Sequence, residues 1–503
     1  MAEELPPQDI VVVGGGVNGA GIARDAAGRG LRVLLAERGD LGGATSSASS
    51  KLVHGGLRYL EHMAFRLVRE ALAERDVLLR SAPHIVWPLE FVLPADPDGR
   101  PAWLLRLGLL VYDNLAWSPR GRGSSLPRSR AVDLRAAPYS GFLRPDRPRG
   151  FSYADCWVDD ARLVALCAVD AAARGATILP RTEVASAERA DGGWRVRLRM
   201  EDGALREVQA RAIVNAAGPW AGEVLSGRLR ANASAALRLV KGSHVVVRRL
   251  HQGEHAFILQ NDDGRIVFVI PYERDFTLIG TTDTPYEGDP ASVAIDDGEI
   301  AYLCRAASRH AARPVMPGDV VWSYSGVRPL HDDGKESASA VSRDYVLELL
   351  GGPGASPLLS VFGGKITTFR RLAEHAMESL APCLPGLRPA WTAEAALPGG
   401  DIPGGDFDGF AAALQRAHHD VPASHVASIA RRHGTRALAF LRDGAPAASL
   451  GRHFGAGLYE AEIDFLRREE WARSAEDVLW RRTKSGLHLC VEARDAVAAW
   501  MRR

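Results

Sequence analysis

The chain has 503 residues, 46% hydrophobic and 24% charged, a globular balance spread over too much length for one core, because single cores stop growing near ~250–300 residues; two or three domains are expected. Lys and Arg number 62 against 61 Asp and Glu, and this net charge of +1 excludes a general attraction to nucleic acid and leaves any basic surface local. The five cysteines, at 156, 167, 304, 383 and 490, form no Cys-x-x-Cys pair, so no metal site or dithiol centre is signalled and small core residues in a reducing compartment are expected.

Residues 1–9 hold three acids and no Lys or Arg, wrong for a secretory leader, and no run approaches the ~20 apolar residues that span a bilayer. A cytoplasmic protein, soluble or bound to a membrane surface, is expected. Residues 9–13 are an apolar, β-branched run that predicts a buried parallel strand. Three glycines follow, then a helix over 17–30 and a second strand over 31–37, which together make a βαβ unit. A helix is predicted over 61–80. Residues 118–150 read as irregular, with eight Arg against two Asp. A helix over 159–174 has Asp159 as its N-cap, and strands follow at 194–200 and 211–215. The strand-rich stretch 237–283 predicts a separate antiparallel sheet lying over the first domain. A buried strand returns at 358–362, a helix at 366–380, and from about 390 the pattern is helical. There is no internal repeat.

Gly14-Gly15-Gly16-Val17-Asn18-Gly19 fits Gly-x-Gly-x-x-Gly. Alone the pattern is weak, but here a strand precedes it, a helix follows, and Glu37 ends the next strand. Gly14 permits the tight turn, Gly16 lets backbone approach a pyrophosphate, and Gly19 permits close helix–strand packing. The helix N-terminus offers N–H groups and partial positive charge. Glu37 can accept from ribose hydroxyls and would repel a 2′-phosphate, which argues against NADP. The position of the motif at the chain start, as in many flavoproteins, points to FAD. So do two further strand-to-turn features, 213–220 with Gly218 and 361–368 with Gly364, Lys365 and Thr367. The helix N-terminus and Lys365 of the second would stabilise negative charge on reduced flavin.

These motifs, with the long run Ala44-Thr45-Ser46-Ser47-Ala48-Ser49-Ser50-Lys51-Leu52-Val53-His54-Gly55-Gly56-Leu57-Arg58-Tyr59-Leu60, resemble the aerobic (respiratory) FAD-dependent glycerol-3-phosphate dehydrogenases. Further markers are Tyr153 to Asp160, Lys241 to His244, Tyr324 to Leu330, Ser342 to Tyr345 and Leu479 to Lys484, so nearly the whole chain is covered; Gly42-Gly43, where relatives can carry bulkier residues, is a small departure. The resemblance implies an α/β fold: an FAD-binding Rossmann-like domain of the glutathione-reductase type, an antiparallel-sheet substrate domain and a C-terminal helical domain. The expected ranges are 1–95, 150–236 and 320–385 for the first, 96–149 and 237–319 for the second, and 386–503 for the third. It further implies oxidation of sn-glycerol 3-phosphate to dihydroxyacetone phosphate by hydride transfer from C2 to FAD N5. Electrons would pass to ubiquinone or menaquinone, in a homodimer attached monotopically to the cytoplasmic face of the inner membrane.

A phosphorylated substrate needs fixed cations, and the planar fork of Arg suits phosphate oxygens. The positions matching the family's substrate pocket are Arg58, Arg328, Arg343 and Lys365, with Gly326 and Pro329 fixing a turn around the second. Oxidising a secondary alcohol also requires a base. Arg titrates too high, whereas His titrates in the right range. His244 is the preferred base and His54 the alternative. Thr45, Ser46 and Ser47 either bond the flavin or its phosphates or cap a turn.

Residues 102–112 are nearly all apolar and too short to span a bilayer. Either they lie in the membrane interface, with Trp103 and Tyr112 at headgroup depth and the arginines of 118–150 meeting anionic lipid, or they form a core helix. Rival functions are an oxidase on the same scaffold, an amine or amino-acid oxidase and a non-catalytic flavin binder. The anaerobic relative, with its cysteine-rich C-terminal part, is disfavoured because 385–503 holds only Cys490.

Overall fold

Strand Glu3–Val13 lies between two parallel neighbours, Val33–Glu37 and Leu205–Asn215. Thr177–Pro180 and Leu358–Gly363 extend the parallel pairing outward, and Tyr345–Leu350 closes one edge antiparallel. This computed structural model describes residues 3–96, 99–116, 126–190, 192–232, 237–332, 344–442 and 444–503, with the side chains of Glu3, Arg58 and His62 outside the description. Ile10, Val11 and Val12 are wholly buried because both faces of the sheet are covered. On one face Ile10, Val12, Val33 and Leu35 pack with helices Val17–Gly28, Asp160–Ala173 and Phe369–Leu380; on the other, Val11, Val13, Leu34 and Ala36 pack with the strands 183–199. Asp159 caps its helix as expected, accepting from the Arg162 N–H. The parallel strands ending at Val13, Glu37, Asn215 and Gly363 all release the chain at one edge of the sheet, which is where α/β folds bind ligands.

The second sheet has ten strands. Leu237–Arg248 pairs antiparallel with Phe276–Gly280 on one side and with Val320–His331 on the other. Ile266–Tyr272 and Ala256–Gln260 continue the sheet to Val86–Pro94, Arg149–Val158 and Leu52–Val53. Four of these strands, Leu52–Val53, Val86–Pro94, Arg149–Val158 and Val320–His331, fall in or overlap stretches that the sequence assigned to the FAD-binding domain. The reason is long-range pairing: Val86–Pro94 and Arg149–Val158 match over nine residue pairs, which local patterning does not reveal. The α/β class itself stands as expected, with the antiparallel sheet over the parallel one.

From residue 390 the fold is mainly helical, through Phe407–Ala417, Ala423–His433, Glu460–Glu469 and Val491–Met501, around a core that includes Val426, Ile429, Leu458, Ile463 and Leu466. It docks on the parallel-sheet domain through buried ion pairs, Arg162 with Glu470, Arg482 with Asp40 and Lys484 with Asp159.

Among the described residues no helix is long and apolar enough to cross a membrane. Helix Ala102–Leu115 has one buried and one exposed apolar face. Leu105, Leu109 and Tyr112 are buried, whereas Trp103, Leu104, Leu107 and Leu110 are exposed. The expectation of Tyr112 at headgroup depth is corrected: its hydroxyl is wanted inside, where it donates to Asp155 at 2.7 Å. Residues 117–125 lie outside the described residues, and Arg130, Arg135, Arg144 and Arg147 each pair with an acid.

Candidate active site

A cavity of about 620 Å³ opens at the edge where the parallel strands end. Its walls include Gly14, Gly16, Glu37, the run from Gly42 to Ala48, Lys51, Gly218 and Gly326. The glycines of the first turn are required one by one. Gly14 has φ +106°, in the region glycine favours, and a methyl group on Gly19 would overlap the Gly14 carbonyl oxygen. A methyl on Gly15 would meet Glu37 Cβ at 2.7 Å. At Gly16 a methyl would meet only Ser46 Oγ, at 3.1 Å, so this glycine keeps the backbone open toward the cavity.

Glu37 accepts from the Gly15 and Gly39 N–H groups, both at 2.7 Å. Burial pushes its carboxyl pKa up and these two donors oppose the shift. Ser46 Oγ accepts from the Val17 N–H at 3.0 Å, at the start of the first helix. Thr45 does not offer its proton to the cavity: its hydroxyl donates to the Val327 carbonyl at 2.6 Å and ties this run to the antiparallel sheet. Ser47 donates weakly to Ala44 O, at 3.3 Å. Asn18 lies off the cavity wall and donates to Gly363 O at 3.2 Å, which anchors the Gly363–Gly364 turn on the first helix.

Among the described residues, Arg328, Lys365, His54 and Thr367 are not on the wall of this cavity. Gly363 packs close to the backbone of Asp344 and Pro329, so the turn leading to Lys365 abuts the strand carrying Arg328. Lys365 Nζ lies 3.7 Å above the Tyr59 ring. The Thr367 hydroxyl lies 3.3 Å from the His54 N–H and 3.5 Å from its carbonyl oxygen. Arg328 pairs with Asp283 and donates to Thr281 Oγ1 at 3.0 Å, two contacts that hold the plane of its guanidinium. Arg343 and the side chain of Arg58 lie outside the described residues.

His244 does not line the cavity. It stacks behind Tyr324, ring centroids 4.8 Å apart at 16°, with Ser50 Oγ 2.9 Å from Nε2. Burial, with Arg328 and Lys51 nearby, holds its pKa well below the usual imidazole range, so the ring is neutral.

Several wall residues carry no role in the sequence reading. Lys51, within the 44–60 run, is buried and bonds both oxygens of Asp160, at 2.9 and 3.0 Å. Tyr324 and Trp322 lie on the strand read only for Gly326 and Arg328. Trp480, Arg481 and Lys484 come from the C-terminal domain. The motifs containing Lys51, Tyr324 and the 479–484 run flagged all of these but Trp322; what was absent was any local sign that distant segments meet.

The glycine loop, the helix start beside it, and Glu37 poised at the strand end form a fitting cradle for a dinucleotide. The FAD dependent oxidoreductase family model matches residues 9–370. The chain belongs to that family. A second model, the C-terminal domain of alpha-glycerophosphate oxidase, matches residues 390–503 of this flavoprotein. Over 98% of its length it is 51% identical to D-erythritol 1-phosphate dehydrogenase of Brucella abortus, of which 97% is covered. Over 99% it is 49% identical to aerobic glycerol-3-phosphate dehydrogenase of Escherichia coli, of which 98% is covered. A crystal structure of the Bacillus halodurans glycerol-3-phosphate dehydrogenase complexed with FAD superposes with a TM-score of 0.75, covering 98% of this chain and 90% of that one at 28% identity. The resemblance read from the motifs is thus borne out, and FAD is the cofactor.

Proposed function

We propose that this flavoprotein oxidises sn-glycerol 3-phosphate to dihydroxyacetone phosphate. The reading is carried by the near-full-length similarity to proteins named glycerol-3-phosphate dehydrogenase, and is supported by the cations Arg328 and Lys365, with Arg58 and Arg343 assigned from the sequence. Bound FAD supplies the hydride acceptor. Arg328, its fork oriented by Asp283 and Thr281, and Lys365 bind the phosphate. The hydroxyl proton requires a base: His244 is the preferred one, neutral with Nε2 2.9 Å from Ser50 Oγ although its lowered pKa weakens it, and His54 is the alternative base. Glu37 and Ser46 hold the cofactor end, with Gly218, Gly364 and Thr367 in the connections around it and Gly326 within the strand Val320–His331.

We further assign a membrane quinone as the final electron acceptor and peripheral attachment to the cytoplasmic face of the inner membrane, in a homodimer. The exposed face of Ala102–Leu115 supports attachment, since Trp103, Leu104, Leu107 and Leu110 are apolar side chains turned to solvent.

The test is anaerobic mixing with sn-glycerol 3-phosphate while the flavin absorbance is followed. Bleaching that a soluble quinone restores, and oxygen restores only slowly with little peroxide, is the expected result. Fast recovery in oxygen with peroxide would make the protein an oxidase, and no bleaching of a folded, FAD-loaded enzyme would overturn the substrate. A second reading, D-erythritol 1-phosphate, is favoured by the 51% identity to a dehydrogenase of that name. Comparing kcat/KM for the two phosphates decides between them.

A further inference from the structure

The cofactor cleft is not built from the FAD-binding domain alone. Ser474, Asp477, Trp480, Arg481 and Lys484, all of the C-terminal domain, stand on its wall. Their segment contains a π-helical turn, Asp477–Arg482, a local widening that recurs at functional sites. It is fixed from two sides. On the dinucleotide side, Arg481 donates to Asp40 at 2.6 Å and Arg181 donates to Asp477 at 2.7 Å; Asp40 lies three residues beyond Glu37. On the side of the antiparallel sheet, Trp480 stacks on Trp322, with centroids 4.7 Å apart at 15°. Trp322 in turn packs against Tyr324, which backs onto His244. Trp480 thus packs on its own domain's core and on Trp322 while remaining partly exposed on the cleft wall, where a flat ligand ring could cover it.

We propose that the 474–484 segment is a cofactor latch: Trp480 and Arg481 contact bound FAD, and docking of the C-terminal domain and FAD binding reinforce each other. The proposal rests on the FAD reading of the same cleft. A latch of this kind slows FAD release, because the cofactor leaves only when the segment lifts from both Asp40 and Trp322. By linkage, FAD stabilises the docked segment as much as the docked segment tightens FAD.

Two measurements on the full chain test this. Apoprotein titrated with FAD, followed by quenching of flavin fluorescence, gives Kd. Trp480→Ala is expected to raise it at least about 10-fold and Trp480→Phe, which keeps the ring, by less than about threefold. A wild-type Kd for a folded Trp480→Ala protein would overturn the proposal. Hydrogen exchange in the unmutated protein covers the case in which that variant fails to fold. FAD is expected to slow exchange at 474–484 together with 14–19. Slowing at 14–19 alone would overturn the latch while leaving the FAD site intact, and slowing at neither would overturn the FAD reading itself.

Discussion

The hydroxyl of Tyr112 accepts from the Gly55 N–H at 2.8 Å while donating to Asp155, so the helix with the exposed apolar face holds the backbone beside His54. Asp155 is held in turn by Arg75 at 2.8 Å, all in a buried setting. Tyr112→Phe leaves a buried N–H and a carboxylate oxygen each short of a partner. It should lower stability by about 1–3 kcal/mol and raise KM for the phosphate substrate, as the 54–58 run loosens. Thermal unfolding and steady-state kinetics check this; an unchanged melting temperature would show the tie to be unimportant.

Arg328 is held by both Asp283 and Thr281. Arg328→Met should cost at least about 2–5 kcal/mol of transition-state binding, roughly a 30- to 5000-fold loss in kcat/KM. FAD content should be unchanged, since Arg328 is not on the cavity wall. The flavin absorbance of the purified variant separates the two effects. Arg328→Lys should recover only part of the activity, because an ammonium lacks the fork.

Helix Ala102–Leu115 should answer differently on its two faces. Leu109 is wholly buried, and Leu109→Ala should destabilise the fold by about 2–5 kcal/mol. Leu107 is 50% exposed, so Leu107→Asp should leave the melting temperature nearly unchanged. If the face meets lipid, Leu107→Asp should also shift the protein from sedimenting with anionic vesicles to the supernatant. Retained sedimentation would place lipid contact elsewhere.

Stability should fall as pH drops below the usual imidazole range. Burial pushes His251 down to about 3, and His255, His310 and His433 to about 4. With the folded pKa depressed, the unfolded chain binds these protons first, so the stabilisation is complete above pH ~6.5 and is lost as pH falls toward 4. Glu273, pushed up to about 7, offsets one of them by holding its proton when folded. Each depressed histidine adds about 1.4 kcal/mol per pH unit to the slope. His251→Phe should flatten the plot of urea midpoint against pH by about that share, and an unaltered slope would exclude His251.

The glycine loop was legible in sequence because each of its constraints is local or spans one βαβ unit: a turn, a helix start, an acid at the next strand end. The helix Asp160–Ala173 and its cap were legible for the same reason. The second sheet was legible as strands but not as a sheet, since Arg149–Val158 finds its partner across some 60 residues, at Val86–Pro94. At the site, Arg328 stood out only through resemblance, because an arginine near a glycine is common, whereas Lys365 was also read from its strand-to-helix turn. The direction of Thr45, turned to Val327 rather than to the cavity, depends on a strand nearly three hundred residues away. Trp480 needed the fold most: nothing near it in sequence says that it will stack on Trp322.

The wall contributed by Trp480 and Arg481 also bears on how the protein is made. A ribosome releases the glycine loop more than four hundred residues before Trp480. Every nascent intermediate in between can carry the dinucleotide motif with its cleft open on one side. Such a chain would hold any captured flavin loosely and exposed to oxygen. On the latch proposal, a tightly held redox centre therefore forms only once the 474–484 segment has been made and has docked on the cleft.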